Sequence, residues 1–401
     1  MTFRWVLAAL VVVTAAAWNS CVSAGNGGGS STTTALMWVA TQGDQMVRSY
    51  SVNLTTGATS QRGSAVATGA QPSAMALTPD GSTLFIANTG DNTISAYSVK
   101  SDGTLTAQGS PTPAGEFPSA LAMDPSGKLL FAANLGTFSD NTSGTISVFS
   151  IQGGSLTPVP GSPFPTETLG DTTDTGPIGL AVSPSGSFLY VANQFTSTVQ
   201  SFSYDSSGTL SLIATYAAGT NPSALAFSRC AGGKSANPSC ANPDAASLFV
   251  ANAGSNNIST FSACIITSTT CPTPNGLLTP LSSGGTVPAG IGPAAFMVDP
   301  AADFVYVLDR GSAQISEYKY SPVTGALSVG NPSTASTGSS PFSGGISSNT
   351  ASNSSAPNWI LVTNNGASSL SEFSVATGGR LSPVSTGPIA VPGQPSAILV
   401  R

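Results

Sequence analysis

Residues 71–99 read QPSAMALTPDGSTLFIANTGDNTISAYSV, and this phrase decides the fold. Ala74-Met75-Ala76-Leu77 is a short apolar run bounded by turn formers, which predicts a buried strand. Pro79-Asp80-Gly81 predicts a turn, with glycine supplying a positive φ. Leu84-Phe85-Ile86-Ala87 is a second apolar run. Residues 94–99 then alternate, Ile94, Ala96 and Ser98 against Ser95, Tyr97 and Val99, as a strand with two different faces should. A fourth strand follows at Gly103-Thr104-Leu105-Thr106.

The same phrase returns along the chain. Residues 117–151 carry FPSALAMDPSGKLLFAAN and GTISVFSI, and 177–204 carry GLAVSPSGSFLYVAN and TVQSFSY. Residues 221–262, 292–320 and, in degraded form, 343–375 repeat it again. The fourth-strand signal recurs at Gly154, Gly208, Gly276 and Gly325. Four-stranded units of about 45–70 residues are propeller blades. The ends give their number. Met37–Thr41 is a second strand with no first strand before it, and Gln394–Val400 is a first strand with nothing after it. Joined, they complete a seventh blade and leave no bare edge. The expectation is an all-β, seven-bladed propeller of four-stranded antiparallel blades over residues 37–401, closed by its last strand.

Composition agrees. Gly (44) and Pro (29) are about 18% of the 401 residues, above the average share. Charged residues are 7% and hydrophobic ones 40%, so the chain is neither highly charged nor disordered. Net charge is −6, with no basic cluster, which argues against nucleic acid. Histidine is absent, which excludes Ser-His, Cys-His and His-metal sites.

The phrase PDGSTLFIANTGDNTISAYSV resembles the YVTN-type repeat of the seven-bladed lactonase-like propellers, whose members include 6-phosphogluconolactonase. The resemblance covers about residues 37–401 and implies the fold. It also implies a lactone hydrolase whose catalytic group combines His with Arg and Glu. This chain has no histidine, so no catalytic residue carries over. A hydrolase here would need a carboxylate base with arginine as oxyanion partner. Asp309 and Arg310, at the end of a second strand, are the candidates, and a local surface pair at a turn is the competing reading. Ser316-Glu317-Tyr318-Lys319 matches S-x-x-K, but on a strand the first and last residues face opposite ways.

Asn88, Asn134, Asn193, Asn252 and Asn364 end successive second strands. Such a ring of amides either lines a ligand site or caps each strand by bonding the loop that follows; recurrence favours the cap. Propeller topology places Asp44, Asp91, Glu116, Asp140, Glu167, Asp171, Asp174 and Asp309 on one face, with Arg310 as its lone base. That face should repel anions and attract cations. Glu167, Asp171 and Asp174 fall in one Thr/Gly-rich loop and could supply part of a Ca²⁺ shell, although no known loop template matches. No other cofactor is expected.

Residues 1–24 read as an export signal: Arg4, then an apolar stretch of 13 residues from Trp5 to Ala17. Ser20-Cys21 resembles a lipobox, which makes Cys21 a lipidation site; ordinary cleavage after Val22-Ser23-Ala24 is the alternative. Residues 25–36 form a Gly/Ser/Thr linker. Cys230, Cys240, Cys264 and Cys271 are an even set in an exported chain, which points to disulfides. The short-range pairing, Cys230–Cys240 with Cys264–Cys271, is favoured among three connectivities, and neither spacing suits zinc. The expected protein is a monomer in the periplasm or at the cell surface, touching the membrane only through its lipid. Two functions remain open: a non-catalytic module for an unknown protein or small-molecule ligand, or a lactone hydrolase.

Overall fold

The computed structural model describes residues 34–136, 144–166, 174–228, 246–268, 271–282, 285–299, 304–347, 358–376, 378–384 and 387–401. Its strands form seven antiparallel sheets. We number the blades from the one that contains both chain ends. Their innermost strands are Pro395–Val400 in blade 1, Pro72–Leu77, Pro118–Met123, Pro177–Val182, Pro222–Phe227, Pro293–Val298 and Pro341–Ile346 in blade 7. Each innermost strand packs against the next, and blade 7 packs back on blade 1, so the ring is closed. The second, third and fourth strands follow outward in chain order.

Closure runs through two distant segments. Pro395–Val400 lies antiparallel to Thr34–Thr41, with Met37 opposite Val400 and Ala40 opposite Ala397. The receiving strand starts at Thr34, upstream of Met37. Innermost strands are buried on both faces, which is why they read as near-continuous apolar runs such as PSAMAL.

The Pro-Ser pair opening these strands has a specific use. The register shifts at this point, as it does between Pro72 and Ala74. The serine hydroxyl is thereby freed to reach the neighbouring blade. Ser396 Oγ donates to the Pro72 carbonyl at 2.5 Å, Ser73 to Pro118 at 3.1 Å, Ser119 to Pro177 at 3.2 Å and Ser223 to Pro293 at 2.6 Å. Ile178, Ala294 and Phe342 take the serine position in blades 4, 6 and 7. A second seam lies nearer the opposite face. Trp38 Nε1 donates to the Gly103 carbonyl, Tyr190 Oη to Gly276 and Tyr306 Oη to Gly379, each in the next blade. These acceptors are glycines of third-to-fourth-strand turns; Gly103, at φ 84°, adopts a conformation a Cβ would strain.

The fourth strand is not uniform. In blades 3, 5 and 7 it splits into Ser155–Pro158 with Phe164–Pro165, Leu278–Pro280 with Thr286–Pro288, and Leu381–Pro383 with Ile389–Ala390. The first piece always ends on a proline, which has no N–H to continue the ladder. Cys264 and Cys271 are bonded to each other, with Cα atoms 5.3 Å apart, in the loop between the third and fourth strands of blade 5. Cys230 and Cys240 lie outside the described residues, as do the signal segment, Cys21 and most of the linker.

Deleting residues 394–401 removes the innermost strand of blade 1 and the hydrogen bond from Ser396 to Pro72. The truncated chain is expected to melt well below the full chain or to aggregate through the bared edge. Unchanged thermal melting, followed by circular dichroism, would contradict closure by this strand.

Candidate functional site

One face of the ring gathers the second-to-third-strand loops and the connections between blades. The residue after each second strand donates its N–H to the carbonyl just before the proline of its own innermost strand. The pairs are Gln42–Gln394, Thr89–Gln71, Leu135–Phe117, Gln194–Gly176, Ala253–Asn221, Arg310–Gly292 and Asn365–Ser340. Every one of these pre-proline acceptors has a positive φ, from 49° at Ser340 to 64° at Gly292. Only two are glycine, so the others hold a sparsely populated backbone conformation. Because all seven pairs sit where the innermost strands begin, they surround the mouth of the central channel. Arg310 is the one charged side chain among them.

The recurrent asparagines stand directly behind this ring and are buried. Asn88 Oδ1 accepts from the N–H of Gly69, and its Nδ2 donates to Thr93 and Ser95. Asn252 does the same with Gly219, Asn257 and Ser259, and Asn364 with Gly338, Ser369 and Ser371. The cap reading therefore needs a correction. Asn88, Asn252 and Asn364 hold the connection that enters their blade, not the loop that follows it, and tie that connection to the third strand; Asn134 and Asn193 keep only the bonds to the third strand, and their buried Oδ1 atoms accept none. The amides of Asn88, Asn252 and Asn364 are spent on the scaffold.

Asp309 occupies this latch position in blade 6. It is fully buried; Oδ2 accepts from Ser316 and Gln314, and the Gly290 N–H lies against the carboxylate. Burial pushes its carboxyl up to about 6, against the restraining effect of Ser316, Gln314 and Gly290. Arg310 points elsewhere. Its guanidinium carbon sits 4.6 Å from the centre of the Phe342 ring, on the innermost strand of blade 7. Burial lowers the Arg310 pKa, and no hydrogen bond or ion pair satisfies its guanidinium among the described residues. The surface-pair reading of Asp309 with Arg310 is thus overturned. One is an interior strut and the other a cation at the mouth. The sequence carries no signal for Phe342 as the seat of Arg310, except that it replaces the serine of the Pro-Ser pair.

The acidic face is less free than its count suggests. Asp44 pairs with Arg48, which also donates to Thr41. Burial raises the Asp44 pKa, but Arg48 and Thr41 outweigh it and leave the carboxyl below its ordinary value. Arg48 reaches this face from its third strand, so Arg310 is not the only base there. Asp91 accepts from the Ala70 N–H, and Asp174 from the N–H groups of Gly144 and Gly176. Asp140, Glu167 and Asp171 lie outside the described residues. Among the described residues no three Cys, Asp or Glu side chains converge as metal ligands.

Two further carboxylates, on third strands, are buried. Glu317 and Glu372 occupy equivalent third-strand positions in blades 6 and 7. Burial raises both; Arg380 tempers Glu317, and Thr59 of blade 1 donates to Glu372. The strand alternation in ISEYKY and LSEF was the available sign that they face inward.

Asp309 generates a pH prediction. Its folded pKa is raised from 3.8 to about 6, so its contribution to stability is fully present below 3.8 and lost as pH rises through about 6. Asp309→Asn installs the amide used in five other blades, and a flip of Gln314 supplies the acceptor. The variant should be more stable than the wild type at pH 8, by about 1–3 kcal/mol, with the gain vanishing near pH 4. Urea melts at the two pH values check this; a variant destabilised at pH 8 would contradict the buried-carboxylate account.

Comparison with known proteins follows the same architecture. No curated protein matches the chain. Among solved structures, a candidate 6-phosphogluconolactonase from Bacteroides fragilis superposes with a TM-score of 0.72 at 18% identity, covering 93% of this chain and 99% of the other. The periplasmic gluconolactonase of Pseudomonas aeruginosa gives 0.69 at 19% identity, covering 92% and 99%. A protein of unknown function from Desulfotomaculum acetoxidans gives 0.66 at 15%, covering 91% and 98%. These likenesses concern the fold. The family match concerns the sequence itself: residues 31–163, 137–227 and 235–392 match the lactonase family of seven-bladed β-propellers, and the chain belongs to it.

Proposed function

We propose that this chain is an exported, lipid-anchored propeller that binds a ligand or partner protein at the mouth of its channel without hydrolysing it. One observation carries the reading: among the described residues the mouth offers a cation but no free base. Hydrolysis of a lactone needs a group that takes a proton from water within hydrogen-bond reach. The chain has no histidine. Asp309 is sealed inside blade 6, Asp44 is paired with Arg48, and Asp91 and Asp174 hold loop N–H groups. Glu116 is half-buried and partnered. Binding, by contrast, asks only for complementary charge and shape, which a desolvated guanidinium on an aromatic face can supply.

A specific observation favours the alternative. Arg310 is half-buried without an acid among the described residues, and that is the environment in which an arginine stabilises an oxyanion. The fold relatives include a gluconolactonase, whose name describes that protein. The two readings separate in one assay. Purified protein given glucono-δ-lactone or 6-phosphogluconolactone should leave hydrolysis at the buffer rate. Enzyme-dependent hydrolysis that Arg310→Ala abolishes would establish the lactonase and remove the proposal.

Export and anchoring rest on Arg4, the apolar stretch 5–17 and Ser20-Cys21. Cells grown with labelled palmitate should label the wild type and leave Cys21→Ser unlabelled. Equal labelling of both proteins, or of neither, would remove the anchor.

A further inference from the structure

Every open blade ends in an outer strand whose outward N–H and C=O groups lack partners in the sheet, and proteins blunt such edges. Six of the seven edges here carry a glycine, a proline or a charge as a blunting device. The outer strand of blade 1, Thr59–Ala67, has Arg62 and Gly63 at its centre. That of blade 2, Leu105–Pro113, contains Gly109, Pro111 and Pro113. Blades 3, 5 and 7 break at Pro158, Pro280 and Pro383, and blade 6 contains Gly330 and Pro332. The seventh edge, Leu210–Ala217 in blade 4, reads LSLIATYA. It has no glycine, proline or charge, and Leu212 is 42% exposed. Its ladder to the third strand is interrupted only by the one-residue shift at Ile213.

We infer that this edge pairs antiparallel with the same edge of a second copy. Three features select that occupant. A strand laid antiparallel on itself about a two-fold axis is self-complementary. With the axis between Ile213 and Ala214, Leu210 faces Ala217, Ser211 faces Tyr216 and Leu212 faces Thr215, matching large residues with small ones and opposing no like charges. The flanks, 206–209 and 218–221, are also uncharged, although the chain as a whole carries −6. Finally, a cleft of about 560 Å³ opens at the Ala217 end, lined by Ala218 and Gly219 and by Phe261 and Leu281 of blade 5. A partner strand continuing past Ala217 has room there for the turn that precedes it. The two four-stranded blades then form one eight-stranded sheet. Pairing of a single strand buries less than the roughly 1,200 Å² of a standard interface, so the association is weak and concentration-dependent.

The test is sedimentation of the exported, unacylated chain (Cys21→Ser) over a concentration series, with two variants. Wild-type sequence at the edge should show a monomer–dimer equilibrium. Leu212→Lys, which places a charge on each side of the two-fold axis, should be monomeric throughout. Ser328→Lys, exposed on the outer strand of blade 6, should dimerise like the wild type. Hydrogen exchange at residues 210–217 should slow with concentration in the wild type and not in Leu212→Lys. A wild type that stays monomeric at its highest soluble concentration overturns the inference. So does a dimer that survives Leu212→Lys, or one that Ser328→Lys abolishes equally.

Discussion

The structure depends on a hydrogen bond that crosses from one blade to the next. A serine hydroxyl on an innermost strand donates to the first carbonyl of the neighbouring innermost strand, and Ser396, on the strand that closes the ring, makes this bond to Pro72 of blade 2. A propeller blade has no independent reason to sit at a fixed angle to its neighbour. Its large apolar faces would pack at a range of tilts. The serine bonds fix the inner rim at four junctions, and the Trp38, Tyr190 and Tyr306 bonds to turn glycines fix a point towards the opposite face at three, the two coinciding between blades 1 and 2. Between them lie fully buried side chains such as Phe85, Phe131 and Phe249. Burial supplies the bulk of the driving force, at about 25 cal/mol per Å² of apolar surface. The hydrogen bonds supply direction.

The same geometry makes the mouth. Since each innermost strand begins at a positive-φ residue followed by proline, the backbone turns sharply and presents a carbonyl that holds the loop residue of its own blade at the rim. Seven repetitions give a ring of backbone contacts, and function is left to the side chains standing on it. Here that ring is poor in chemistry. Arg310 on Phe342 is its only charged group, and among the described residues Asp44, Asp91, Asp174 and Asp309 bond the scaffold. The family fold thus fixes where the site lies and leaves its chemistry to the side chains placed on it.

Much of this was legible because the repeat is punctuated by residues with one physical meaning each. Pro-Asp-Gly at 79–81 marks a turn, and the orphan strands at 37–41 and 394–400 demand each other. The interrupted outer strands were also written in the sequence, as Pro158, Pro280 and Pro383, but their weight emerges only beside a third strand that needs a partner. The site was less legible. Asp309 and Arg310 are neighbours in the chain, and adjacency suggested a pair. On a strand end, adjacent side chains leave on opposite sides, so one enters the blade and the other meets Phe342, 32 positions later. The burial of Glu317 and Glu372 depended likewise on which face of the third strand meets the next blade.

The central claim is that all seven blades form one cooperative ring closed by Pro395–Val400. Native-state hydrogen exchange tests it most directly, because the closing strand is the only innermost strand whose partner lies at the far end of the chain. The account predicts that amides in Ala397–Val400 open with the same free energy as those in Ala74–Leu77 and Ala120–Met123, at the level of global unfolding. Exchange of the closing strand far faster than the other innermost strands, with the rest of the ring still protected, would contradict it.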